Sequence, residues 1–263
     1  MNVISRAGTR ATTADRVRAG AVVLAALVQT VAGGLGGSGF FGESQRVLAD
    51  RYPSPLMPAT AAFSIWSLIY LALLALAVRQ ALPSQQGRPV HRATGWWFVA
   101  SALFNAGWIV AFSQELVPLS QVVIVALLVC LAVMLHRLGT HPAEGIADRV
   151  LLHGPIGLYA GWVAVATVVG GATTGTFLGL DVTVVAGAVV LLLAGAAIAF
   201  AASRTAVAVP FAASVLWALF WIVAEAATPV VVVALLAGVA VIAVVGYRAF
   251  AGASERRTVA AFG

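Results

Sequence analysis

Eight stretches of this chain are each long and apolar enough to cross a bilayer, and none of its 15 basic or 9 acidic residues falls inside any of them. A helix rising 1.5 Å per residue needs about 20 residues to cross about 30 Å of hydrocarbon. The windows are Ala19–Gly37, Ala59–Val78, Gly95–Ser113, Val117–Leu135, Val150–Gly171, Val182–Ala202, Ala206–Ala224 and Pro229–Tyr247. Pro58, Pro118 and Pro229 stand at span starts, where a missing backbone N–H costs least. With 62% hydrophobic and 9% charged residues, the chain cannot cover itself with polar surface in water. Lipid asks only that each backbone group be bonded internally, and the windows are too long for strands. The expected fold class is therefore an all-α integral membrane protein, a bundle of about eight transmembrane helices.

The arginines orient the bundle. With the N-terminus in the cytoplasm, eight spans place Arg6, Arg10, Arg16, Arg18, Arg79, Arg88, Arg92, Arg137, Arg149, Arg204, Arg248, Arg256 and Arg257 inside and only Arg46 and Arg51 outside. Seven spans would spoil that asymmetry, so both termini are expected in the cytoplasm. The net charge of +6 is accounted for by these clusters between spans, which argues against nucleic-acid binding. Span one ends in the glycine-rich stretch Gly33 to Gly39, poor helix that could be a loop. Its basic leader resembles a signal peptide, but no small-x-small site precedes a soluble remainder. The longest external segment, 38–58, mixes Glu43, Arg46, Asp50 and Arg51 with Phe40, Phe41, Tyr52 and prolines; an ordered lid and a solvated connector both fit it. The single cysteine, Cys130, excludes an intrachain disulfide.

Within the spans the informative residues are aromatic and amide. Phe63, Trp66 and Tyr70 stand at i, i+3 and i+7, on one helix face. Ser101, Asn105, Trp108 and Phe112 form a second stripe, and Pro155, Tyr159, Trp162 and Ala166 a third. Asn105 must face protein or a cavity, because an unpaired amide is costly in lipid. Trp96, Trp97 and Tyr247 lie near span ends and fit interfacial anchoring. Gly157 and Gly161 make a GxxxG that fits close packing against a helix of the same chain or, in a homodimer, of a second copy. Three polar-tipped aromatic stripes on three helices outline a pocket for a flat, largely apolar molecule.

The run from Phe63 through Trp66 to Tyr70, then Asn105-Ala-Gly-Trp108, then Pro155, Tyr159, Trp162 and Ala166, resembles the tryptophan-rich sensory proteins, the TspO/MBR family that includes the mitochondrial translocator protein. The resemblance covers about residues 19–175. It implies a basic N-terminal segment (1–18), a five-helix membrane domain (19–175) with external loop 38–58, three additional helices (176–250) as in longer bacterial relatives, and a cytoplasmic tail (251–263). It further implies the cell membrane of a bacterium, and binding of porphyrins, heme precursors or sterol-like molecules, with no cofactor required. The ligand-binding residues carried over are Trp66, Tyr70, Asn105, Trp108, Trp162 and Ala166. Ser64-Ile65 replaces the family's proline before the first tryptophan, and Gln121 replaces an acidic residue. Val168, Val169, Gly170 and Gly171 stand where an aromatic, Asn-rich helix end would be, so a sterol-recognition motif is not carried over.

No catalytic constellation appears: there is no HExxH, P-loop or nucleophile elbow. His136, His141, Glu144 and Asp148 share a loop but match no zinc spacing. His153 is one turn into span five, where its ring is expected to reach interfacial water. Glu225 ends a stripe with Trp217 and Trp221 and reads as a polar helix terminus. Buried carboxylates for ion coupling are missing from the spans. Three functions stay open: a sensory or carrier bundle for tetrapyrroles, a small-molecule permease without ion coupling, and a tetrapyrrole- or lipid-modifying enzyme. The orientation is tested by thiol labelling of intact cells: a cysteine from Ser44→Cys should react with an impermeant reagent and one from Ser84→Cys should not. The opposite pattern would invert the topology.

Overall fold

The computed structural model describes residues 10–250 and 262–263, the side chains of Gln45, Arg46 and Ala49 excepted. Arg6, Arg256, Arg257 and the side chain of Arg46, which enter the charge asymmetry, lie outside the described residues. Among those described, eight helices are long and apolar enough to cross a membrane. They are α1 (Thr13–Gly37), α2 (Ile65–Ala81, led in by the 3₁₀ turn Thr60–Ser64), α3 (Pro89–Ser113), α4 (Val117–Gly139), α5 (Gly154–Phe177), α6 (Val184–Arg204), α7 (Ala208–Glu225) and α8 (Thr228–Phe250). The protein is an all-helical membrane bundle.

α1 to α5 close a ring in which α1 lies between α2 and α3, α4 follows α3, and α5 packs on α4 and α2. α7 runs along α5, α8 along α7, and α6 against α8. The outer helices α6 and α8 keep most of their surface for lipid, whereas α5 is the most enclosed span.

The helices outrun the apolar windows at the arginine-rich end. α1 begins at Thr13, six residues before Ala19, because Thr12 and Asp15 form a capping box: Asp15 N–H donates to Thr12 Oγ1 (3.2 Å) and Thr12 N–H to Asp15 Oδ2 (3.0 Å). The same carboxylate accepts from Arg18 Nη1 at 2.6 Å and from Arg92 Nε and Nη2 at 2.9 and 2.6 Å, which ties α1 to α3. Asp148, just before α5, is gripped at both oxygens by Arg88 (2.7 and 2.6 Å) and also by Arg79 of α2. Arg88 also pairs with Glu144, and these carboxylates push its pKa above the ordinary arginine value, Asp148 contributing most. Arg137 donates to Ala93 O at 2.6 Å and lies 5.5 Å from the centre of the Trp97 ring. The glycine-rich end of α1 is helix as far as Gly37, where the apolar window also ends, and at Gly33 the ring of Tyr70 lies where a Cβ would be. One sequence expectation is corrected here. His153 does not reach water: it is buried, with Nε2 3.1 Å from His141 O and Nδ1 3.3 Å from Asp148 O, inside the π-helical turn Arg149–His153.

The GxxxG packs within the chain. A Cβ at Gly161 would overlap Phe211 O and Ser214 Oγ of α7, and one at Gly157 would sit 3.0 Å from Pro210 Cγ and Val207 Cγ2. Gly161→Leu should therefore destabilise the bundle by about 3 kcal/mol through overpacking, and Gly157→Ala, meeting only side chains, by about 1 kcal/mol. Thermal unfolding in detergent checks the order; equal midpoints for the two variants would contradict this packing.

Candidate functional site

The three aromatic stripes converge. Seven rings from the 3₁₀ turn, α2, α3 and α5 form one cluster with Trp66 at its centre: its ring lies 5.2 Å from Tyr70, 6.1 Å from Trp108, 6.0 Å from Tyr159 and 6.1 Å from Trp162, centre to centre. Phe63 meets Trp162 at 6.2 Å and Trp108 stacks on Phe112 at 5.9 Å. The i, i+3, i+7 spacing delivers Phe63, Trp66 and Tyr70 to one face, and offset and edge-on contacts between such rings are favourable beyond the area they bury.

Beside this cluster lies a cavity of about 60 Å³, walled by Trp66, Trp108, Trp162 and Ala166 together with Phe63, Phe112, Gln121, Gly170 and Thr173, roofed by Met57 and Pro58, and closed at one side by Ala218 of α7. Of the six residues singled out from sequence, four wall the cavity. The other two stand behind Trp66: Tyr70 O–H donates to Asn105 Oδ1 at 3.1 Å, and Asn105 is wholly buried with Nδ2 lacking an acceptor. Gln29 of α1, one turn before Gly33, is likewise buried with both amide atoms unpaired. Gly170 and Thr173 continue the Trp162–Ala166 face by helical spacing and were findable from sequence; Ala218 and the roof residues carry no such signal.

The 38–58 segment is an ordered lid. Its short helix Gln45–Arg51 buries Leu48, and Leu56 is buried beyond it. Glu43 N–H donates to Ser113 O at 3.0 Å, and Gln114 donates to Phe41 O. Arg51 bridges Glu43 (2.7 Å) and Glu115, which between them raise the arginine's pKa, the Glu43 bond most. Tyr52 O–H donates to Glu115 Oε2 at 3.0 Å, and burial followed by this bond raises the phenol's pKa. Glu115 itself has φ 57°, an uncommon conformation for a residue with a side chain, at the α3–α4 turn. Tyr52 also meets Phe177 at 5.2 Å, and Thr176 Oγ1 donates to Pro53 O at 3.2 Å, so the lid is held by α3 and α5 at once.

The last three helices reach this site. Trp217 Nε1 of α7 donates to Ala62 O at 2.9 Å, inside the 3₁₀ turn that carries Phe63, and Ala59 N–H donates to Trp221 O at 3.1 Å. Pro55 of the lid packs on Gly187 of α6. Glu225 is exposed at the end of α7. At the opposite end of the bundle, His141 Nδ1 is 2.8 Å from Arg137 O, and among the described residues no three metal-ligating side chains gather.

A family model described as TSPO-like protein matches residues 18–248, a stretch that reaches all eight spans rather than the first five alone. No curated protein and no solved structure matches the chain.

Trp217 sets the turn at the cavity's rim. Trp217→Phe keeps an aromatic ring and removes the N–H donor, a loss of about 1 kcal/mol for the hydrogen bond. Amide hydrogen exchange across residues 62–65 should quicken by about fivefold, the equivalent of that loss, with α4 unchanged. Unchanged exchange in the turn would show that α7 does not hold it.

Proposed function

We propose a function from the premise that the chain belongs to the TSPO-like protein family: it is a membrane binding protein for flat, largely apolar molecules of the porphyrin type, held among Trp66, Trp108 and Trp162 beneath the lid. The observation that carries this reading is the convergence of three indoles from three helices on one lidded cavity. Apolar clefts with few oriented polar groups suit such ligands. The cavity wall contains no carboxylate, histidine, cysteine or cation, so its chemistry favours holding a molecule over acid–base work on it.

A cavity of about 60 Å³ is closed relative to the roughly 300–1,000 Å³ of pockets that enclose drug-sized ligands. Binding a macrocycle on this reading means parting the rings and lifting Met57 and Pro58, against a lid held by polar contacts at its rim and by the Tyr52–Phe177 and Pro55–Gly187 contacts. In the cell membrane the arginine-rich end, with both termini, faces the cytoplasm and the lid faces outward. Sensing and carriage of the ligand both follow from a site that opens at the lid.

Titrating the protein in nanodiscs with protoporphyrin should quench tryptophan fluorescence saturably. Trp66→Phe and Trp108→Phe should each weaken binding by about fivefold, in line with the loss of one aromatic contact, in variants that still unfold cooperatively. Parental affinity in both variants would remove the site from the cavity.

A further inference from the structure

The cavity wall restricts which flat molecules it accepts, an inference that rests on the binding reading above. Every residue that walls the cavity is uncharged. Its polar groups are mostly committed to the backbone of their own helices or a neighbour: Ser120 Oγ donates to Val117 O (2.8 Å), Thr173 Oγ1 to Val169 O (3.1 Å) and Gln121 Nε2 to Thr167 O (3.1 Å). Among the donors of this wall, one is both fully buried and unpaired. Trp162 is buried at 3% exposure, yet its Nε1–H has no acceptor in the protein. A buried N–H left unpaired is costly, and a ligand that supplies the acceptor recovers that cost.

No cation is placed to help an anion. Arg18, Arg79, Arg88 and Arg92 are spent on Asp15 and Asp148 at the far end of the bundle, and Arg51 on the lid is spent on Glu43 and Glu115. An ionised carboxylate brought into such a cavity loses its water and gains no partner, so it enters by taking up a proton or stays out. We propose that this site selects electrically neutral planar molecules bearing a hydrogen-bond acceptor, received by Trp162 Nε1, over tetrapyrroles with ionised carboxylates.

The test compares three probes by tryptophan quenching in nanodiscs, each corrected for partition into protein-free nanodiscs: protoporphyrin IX, its dimethyl ester, and etioporphyrin, which carries alkyl groups only. At mildly alkaline pH the ester should bind at least about tenfold more tightly than the diacid, and the gap should narrow as pH falls toward the carboxyl range near about 4. Trp162→Phe should weaken the ester by about fivefold relative to its effect on etioporphyrin. Equal affinity of ester and diacid in the parent protein overturns the selectivity, and an equal loss for ester and etioporphyrin overturns the role of Trp162. If all three probes bind but the diacid is preferred, this inference fails while the binding reading stands. If none quenches, the binding reading itself falls and takes this inference with it.

Discussion

Hydrocarbon admits ionised side chains only at the two ends of this bundle, and the rest of the structure follows from how those ends are tied. At the arginine-rich end each buried carboxylate is shared by two guanidinia, at least one of them distant in the chain: Asp15 by Arg18 and Arg92, Asp148 by Arg79 and Arg88. Such pairs gain little over apolar packing once desolvation is counted, but losing one partner leaves a stranded charge. Their effect is to fix the relative heights of α1, α2, α3 and α5. At the lid end Glu115 plays the corresponding part, holding Arg51 and Tyr52 from a left-handed backbone position.

With charge confined to the ends, the middle is left to rings, amides and small residues. Close approach is granted by glycine where a ring or a carbonyl must fit, at Gly33 against Tyr70 and at Gly161 against Phe211. These contacts leave room for Tyr70 beside α1 and for α7 against α5, at two edges of the aromatic cluster and its cavity. α7 in turn supplies Ala218 to the cavity and Trp217 to its rim, which makes the later helices part of the site's surroundings.

Much of this was legible in the chain. Eight charge-free windows predict the eight spans, and helical spacing collects Trp66, Trp108, Trp162 and Ala166 onto faces that do meet around a cavity. Tyr70 and Asn105 share those faces but bond to each other behind Trp66, because spacing says which side of a helix a residue is on and nothing of its depth behind a neighbour. The segment 38–58 left lid and connector equally open, since its anchors, Ser113, Glu115, Thr176 and Gly187, lie on other helices. His153 was misplaced for a related reason: distance from a window's end measures depth along one helix, whereas burial depends on the loop carrying His141 that folds over it.

Sequence by itself determined the class of fold, the number of spans and the residue types available inside the membrane, because the cost of charge in hydrocarbon acts on each segment separately. Only the tertiary structure decided that Gly157 and Gly161 serve a contact within the chain, that α7 closes the cavity, and that Trp162 keeps a donor without an acceptor. Those outcomes depend on which helix lies against which, and helix association in lipid turns on close fit between surfaces, a property of pairs of segments that no single window contains.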